Sequence, residues 1–250
     1  MSGIVAPSLR VKETLERYGI DEPIEIIPTG VDISKFSKST NENIREKYKI
    51  NSEQPLLLTL SRLAFEKNID KLLNAMPDIL ARVPATKLMI CGDGPARESL
   101  VQQVSDMNLT DSVIFTGEIN NDEVGSYYKA ADVFVSTSVS ESQGLTYIEA
   151  IASGTKVITT HSPYTDSILT DASIGMTFTG EDELVNKVVD YLLNGEKYND
   201  SKPREELLNS ISADNFGRKV VSFYEKCMLD FDMKKKLRFN SDELNKAKGR

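Results

Sequence analysis

The sequence has one histidine, His161, two cysteines, Cys91 and Cys227, and no tryptophan. A single imidazole excludes a metal site built from several histidines. The cysteines are far apart and lack Cys-x-x-Cys spacing, so they read as buried thiols of a reducing compartment, neither a staple nor a zinc site. No apolar run approaches the ~18 residues of a membrane span, and the first residues lack the charged-then-apolar pattern of a secretory signal. These absences predict a soluble chain that stays in the cytoplasm. The formal net charge of -8 argues against a broad nucleic-acid surface, and the local basic run Lys234, Lys235, Lys236 and Arg238 reads as a solvated tail. No G-x-G-x-x-G follows a strand and no Gly-Lys-Ser/Thr closes a phosphate loop, which disfavours an NAD-dependent oxidoreductase and Walker-type binding.

What is present is 250 residues with 40% hydrophobic content, enough for one substantial core. Short aliphatic and β-branched runs at Leu56 to Leu60, Lys87 to Cys91, Val113 to Phe115, Val133 to Ser136 and Val157 to Thr160 predict strands covered on both faces. Ile69, Leu72, Leu73, Met76, Ile79 and Leu80 repeat at helical spacing, with Pro77 expected to kink or break that helix. Further helices are predicted at Pro95 to Met107, Glu123 to Ala131, Tyr147 to Ser153, Asp182 to Leu193 and Asp214 to Leu229. Alternating strand and helix specify an α/β fold with a Rossmann-like, doubly wound parallel sheet. Ahead of it, Ile4 to Ala6 and Glu25 to Ile27 predict strands flanking a helix at Val11 to Tyr18. A polar stretch, Lys35 to Glu46, marks a boundary, and Phe239 to Arg250 are expected to be frayed. The division is therefore 1–34, 35–232 and a basic, polar tail, 233–250.

The chemistry-bearing residues cluster where strands are predicted to end. After the fourth strand comes S-E-S-Q-G-L-T-Y-I-E-A-I-A-S-G, in which Gly144-Leu145-Thr146 opens a helix between Glu141 and Glu149. Exposed amides at a helix start favour an anion, and a glycine lets it approach. Each glutamate alone could be a solvated or capping residue; their joint placement favours a ligand site. After the first strand, Arg62 and Lys67 stand at R-x-x-x-x-K spacing. A guanidinium fork and an ammonium suit a diphosphate, although two surface charges would look the same. Gly92 and Gly94 form a tight strand-end connection, and Thr116 to Ile119 is either a structural turn or a loop that contacts a base. Asp230-Phe231-Asp232 spells the D-x-D of metal-dependent transferases but falls at a helix end, so it reads as solvated carboxylates.

R-x-x-x-x-K, G-D-G-P, F-T-G and E-x7-E, in that order, resemble glycosyltransferase family 4. Ala6-Pro7-Ser8, Ile26-Ile27-Pro28-Thr29-Gly30-Val31-Asp32 and Phe36 resemble that family's crossing between domains. The resemblance covers Ile4 to Met228. It implies the C-terminal, donor-binding half of a retaining GT-B glycosyltransferase that needs no metal or other cofactor. It assigns Arg62 and Lys67 to the diphosphate, Glu141 to the sugar hydroxyls, Glu149 to the ribose, and Gly144, Leu145 and Thr146 to sugar and phosphates. Glu141, Arg62 and Lys67 would be catalytic, with Gly92, Gly94, Thr116 and Ile119 completing the donor site. The glycine-rich stretch expected after the fifth strand is replaced by His161-Ser162-Pro163-Tyr164.

The string S-E-S-Q-G-L-T-Y-I-E-A is similar to bacterial transferases that glucosylate diacylglycerol from UDP-glucose. A capsule, exopolysaccharide or teichoic-acid transferase is the rival within the class, and an isolated nucleotide-sugar-binding module the rival outside it. An N-terminal acceptor domain is the expected partner, with peripheral membrane contact in the full-length protein and no nucleic acid. The opening Met1-Ser2-Gly3 directly before a strand reads as a piece of a longer enzyme, from which little turnover is expected alone.

Overall fold

The computed structural model describes residues 3–37, 43–141 and 143–248. They form two compact units, Met1–Val31 together with Ile211–Arg250, and Asp32–Ser210. Residues 211–232 group with the N-terminal segment. The reason is local: the Val31 N–H donates to the Ile211 carbonyl at 3.1 Å and the Ala213 N–H to the Val31 carbonyl at 3.2 Å.

In the first unit, strand β1 (Ile4–Ala6) pairs in parallel with β2 (Ile24–Ile26), and helix α1 (Leu9–Arg17) connects them. Ser8 caps α1, its hydroxyl accepting from the Val11 N–H. The long helix α11 (Ala213–Lys248) packs so closely on this segment that a Cβ on Gly3 would lie 2.5 Å from Phe223 Cζ and 2.7 Å from Cys227 Sγ. The helix does not stop near Leu229, because Arg218–Lys248 contains no glycine or proline to end it. The expected frayed tail is helical through Lys248, and only Gly249 and Arg250 lie outside the described residues. The side chains of Lys234, Lys235, Lys236 and Arg238 lie outside them too. The D-x-D motif falls inside α11, not at its end.

The second unit is a six-stranded, all-parallel sheet in the order β5-β4-β3-β6-β7-β8. Its strands are β3 (Leu56–Leu60), β4 (Lys87–Cys91), β5 (Val113–Gly117), β6 (Val133–Ser136), β7 (Lys156–Thr160) and β8 (Gly175–Phe178). Helices α4 (Ile69–Arg82), α5 (Arg97–Asp106) and α9 (Glu181–Asn194) cover one face. The short α2 (Ser34–Ser37) and α3 (Ile44–Lys47), with α6 (Val124–Ala130), α7 (Leu145–Ser153) and α10 (Lys202–Ser210), cover the other. Helix α8 (Pro163–Ile168) links β7 to β8.

Strand side chains alternate between the layers. Leu57, Leu88, Ile90, Val133, Val135 and Ile158 join Leu72, Met76, Ile79 and Val188 in one core. Phe134 instead meets the rings of Tyr128 and Tyr147, at centroid distances of 5.4 and 6.2 Å. Leu56, Leu57, Leu58, Leu72, Leu73 and Ile79 are all completely buried, and each such side chain contributes about 1.5–3 kcal/mol. Double coverage explains why the strands read as continuous apolar runs. Pro77 lies within α4, which runs unbroken from Ile69 to Arg82, so the break that proline allowed does not occur.

Besides the short α2 and α3, which fall at the expected polar boundary, three elements escape a reading by periodicity. Strand β8, Gly-Met-Thr-Phe, is short and only its end residues are buried. Helix α8 carries a start signal that sequence does contain: Ser162 accepts from the Thr165 N–H and Pro163 stands in the first turn. Helix α10 buries only Leu208.

Candidate functional site

Beyond the carboxyl ends of β3 and β6 the chain leaves a cavity of about 340 Å³. Strand order reverses there: β4 and β5 extend the sheet to one side of β3, β7 and β8 to the other side of β6. Loops leaving two such neighbours diverge to opposite faces and open a crevice, the general ligand position of doubly wound sheets. Arg62, Lys67, Glu141, Gly144, Leu145 and Thr146 all line it. Thr59, Ser61, Ser136, Thr137 and Gln143 line it as well, polar groups whose role no sequence motif disclosed.

Lys67 is carried by a single 3-10 turn, Phe65–Lys67, closed by Asn68 in the left-handed conformation at φ 51°. Asparagine tolerates that region better than other non-glycine residues. The turn is tied to the loop after β6: the Thr137 hydroxyl donates to the Lys67 carbonyl at 3.0 Å, and the Asn68 amide to the Thr137 carbonyl at 3.4 Å. The Lys67 ammonium thereby forms an ion pair with the Glu141 carboxylate. Their side chains are only 21% and 24% exposed, so the pair is shielded more than a surface one. Arg62 differs, being exposed and without an ion-pair or side-chain hydrogen-bond partner among the described residues.

Helix α7 starts at Gly144, which sits at φ 53°, ψ 45°, and no side chain caps it. A Cβ there would lie 2.4 Å from Tyr147 Cδ2 and 2.9 Å from Tyr164 Cε1, so conformation and space both require glycine. The N–H groups of Leu145 and Thr146 meet no backbone acceptor among the described residues, which leaves a helix start free for an anion. Two tyrosines hold this turn from below. The Tyr164 hydroxyl donates to the Gln143 carbonyl, and the Tyr147 hydroxyl shares a 3.1 Å hydrogen bond with the Ser136 hydroxyl. Burial pushes both phenols up in pKa, so they stay neutral. The stretch His161 to Tyr164, which departs from the glycine-rich pattern, supplies one of these supports. His161 itself is exposed, its Nδ1 2.8 Å from the Asp166 carboxylate.

The remaining candidates do not line the cavity. A Cβ on Gly92 would lie 2.0 Å from the Ser61 carbonyl oxygen, and one on Gly94 2.5 Å from that of Leu63. Those glycines let the loop after β4 pack on the loop carrying Arg62. The Thr116 hydroxyl donates to the Gly117 carbonyl, and Ile119 follows that turn half-buried. Glu149 is also half-buried, its Oε2 accepting from the Tyr128 hydroxyl at 3.1 Å. Burial raises its pKa, with the Tyr128 bond acting the other way. Cys91 is buried and its thiol is pushed up to about 12, as an inert core residue should be, whereas Cys227 is only half-buried.

Residues 40–206 match the family model described as glycosyl transferases group 1. The chain is 38% identical over 242 residues to the alpha-monoglucosyldiacylglycerol synthase of Streptococcus pneumoniae, covering 95% of this chain and 55% of that protein. It is 30% identical over 197 residues to the protein of the same name from Acholeplasma laidlawii, covering 77% and 50%. The chain thus spans about half the length of these relatives. Among solved structures it resembles Anabaena Alr3699/HepE in complex with UDP and glucose, with TM-score 0.76, 18% identity and coverage of 90% of this chain and 63% of that one. At such identity the likeness speaks for the fold alone. The family match spans well over half of the sequence, and the chain belongs to the glycosyl transferases group 1, with the Rossmann-like α/β architecture of GT-B enzymes.

Proposed function

We propose that this chain is the donor-binding half of a retaining glycosyltransferase that moves glucose from UDP-glucose to diacylglycerol or a related lipid. One observation carries the proposal: two cations, a carboxylate and an uncapped helix start converge on one cavity at the reversal of strand order. In the transfer, the bond between the anomeric carbon and the diphosphate breaks and the diphosphate leaves with the electron pair. The acceptor oxygen bonds to that carbon and passes its proton to the departing diphosphate oxygen. Arg62, Lys67 and the amides of Leu145 and Thr146 neutralise the charge that develops on the leaving group, a fixed electrostatic arrangement that needs no metal or other cofactor. Glu141 receives the sugar hydroxyls. Glu149 takes the ribose through Oε1, which accepts no hydrogen bond among the described residues. Gly92 and Gly94 hold the Arg62 loop, and Thr116 and Ile119 approach the base.

The lipid acceptor rests on the printed names of the two relatives above. No helix among the described residues is long and apolar enough to cross a membrane. Leu9, Tyr18, Val221, Tyr224 and Met228 of the first unit are 51–80% exposed, apolar side chains that an N-terminal acceptor domain would cover. Saturation-transfer NMR with UDP-glucose, UDP-galactose and GDP-mannose side by side tests the donor assignment. Saturation of the UDP-glucose protons above those of the other two is expected; equal or absent signals would overturn it.

A further inference from the structure

We infer that Glu141 makes the cavity select the intact nucleotide diphosphate sugar against the free nucleoside diphosphate, through its ion pair with Lys67. The inference rests on the donor reading of the cavity. Its ground is that the cation expected to meet the diphosphate is already neutralised within the protein. Among the charged residues lining the cavity, Arg62 and Lys67 contribute two positive charges and Glu141 one negative, a formal balance of +1. Every other lining side chain is neutral.

The two ligands differ in two ways that Glu141 senses. A nucleotide diphosphate sugar carries two negative charges, because its outer phosphate is esterified. A free nucleoside diphosphate has a terminal phosphate whose second ionisation falls near pH 6, so at neutral pH it carries about one charge more. When either ligand enters, its phosphates take Lys67 and Glu141 loses its partner. The sugar ester brings hydroxyls that donate to the released carboxylate. The free nucleotide lacks that sugar, and leaves a shielded carboxylate beside an additional phosphate charge. An unpaired, partly desolvated anion next to a like charge is the costly arrangement. The Tyr147 and Tyr164 phenols lie close enough to feel the Glu141 charge, yet their hydroxyls bond to Ser136 and the Gln143 carbonyl, so neither takes the place of Lys67. The same residue that receives the sugar would therefore speed release of the spent nucleotide.

Isothermal calorimetry of UDP and UDP-glucose on the 250-residue chain, its Glu141→Gln variant and its Lys67→Met variant tests this. Glu141→Gln should tighten UDP by at least about fivefold, the ratio matching an ion pair of this exposure, and should weaken UDP-glucose, whose hydroxyls lose the carboxylate. Lys67→Met should weaken UDP more than UDP-glucose. The wild-type preference for the sugar ester over UDP should shrink from pH 7.5 to pH 5.5, as the terminal phosphate takes up a proton. A Glu141→Gln variant that weakens both ligands equally, or leaves the ratio of the two dissociation constants as in wild type, overturns the inference while the donor reading stands. Absence of binding by both ligands to folded wild-type chain sinks the donor reading and the inference with it.

Discussion

Arg45 lies at the N-terminal end of β3 and Arg62 beyond its carboxyl end, and the two guanidiniums meet opposite fates. Arg45 is spent internally. Its Nε donates to the Ala130 carbonyl at 2.8 Å, one Nη to the Gln54 and Asn51 carbonyls at 2.8 and 3.1 Å, and the other to Asp132 at 2.8 Å. The same Asp132 oxygen accepts from the Leu56 N–H at 2.7 Å, so the cluster fastens α3 and the turn after α6 to the start of β3. Arg62 makes no such bond among the described residues and stands at the cavity. The lesson concerns donors: a guanidinium saturated by carbonyls is a structural part, and one with its fork free beside a cavity is available to a ligand.

The sharpest way to break this comparison is to remove each arginine in turn. Arg45→Ala should cost about 3 kcal/mol of stability, since three carbonyls and a carboxylate lose their donor together. Urea unfolding measures it, and the affinity of the folded fraction for UDP should not move. An affinity loss matching that of Arg62→Ala would erase the distinction. Gly144→Ala comes next, with about 2 kcal/mol lost to left-handed strain and contact with the Tyr147 and Tyr164 rings. It should also abolish most nucleotide binding, because relief of that contact turns the Leu145 and Thr146 amides away. Arg62→Ala is the converse of Arg45→Ala: an unchanged unfolding midpoint and UDP binding about 30-fold weaker, as expected for lost charge-assisted hydrogen bonds. Equal calorimetric affinity in wild type and Arg62→Ala would refute its assignment.

The same contrast explains what could be read from the sequence. The sheet was legible because burial on both faces leaves mostly apolar residues, as in Leu56 to Leu60 and Val133 to Ser136, with Thr59 and Ser136 the polar exceptions near the cavity. Arg62, Lys67, Glu141 and Gly144 were legible because strand-end loops put them in motifs of fixed spacing. Arg45 was not. Its partners Ala130 and Asp132 lie 85 and 87 residues away, and nearby residues show only a polar stretch after a boundary. Thr137 and Asn68 were missed for the same reason, since each acts by reaching the other's loop. Tyr164 carried a visible signal, the Ser162-Pro163 helix start, but its contact with Gln143 exists only once β7 lies beside β6. Helix α11 runs past the expected end at Leu229 to Lys248. In a helix without glycine or proline after Gly217, intrinsic propensity carries the backbone further than periodicity does.

Glu149 gives the smallest expected effect and a test of the comparison on the acidic side, because it is half withdrawn: one oxygen is taken by Tyr128 and the other is left over. Burial raises its carboxyl above the ordinary 4.5, so the native state holds this proton more tightly than the unfolded chain does. Its contribution to stability is then fullest below pH 4.5 and declines as pH rises through the higher native value. Glu149→Gln keeps an acceptor for Tyr128 and removes the titration. The variant should match wild type in urea at pH 4 and be slightly more stable at pH 7.5, by less than the Arg45→Ala loss, while binding UDP more weakly if the free oxygen serves the ribose. A stability difference that is constant from pH 4 to 7.5 would mean that water, not protein, surrounds the carboxylate, and would place Glu149 with Arg62 among the residues wholly open to a ligand.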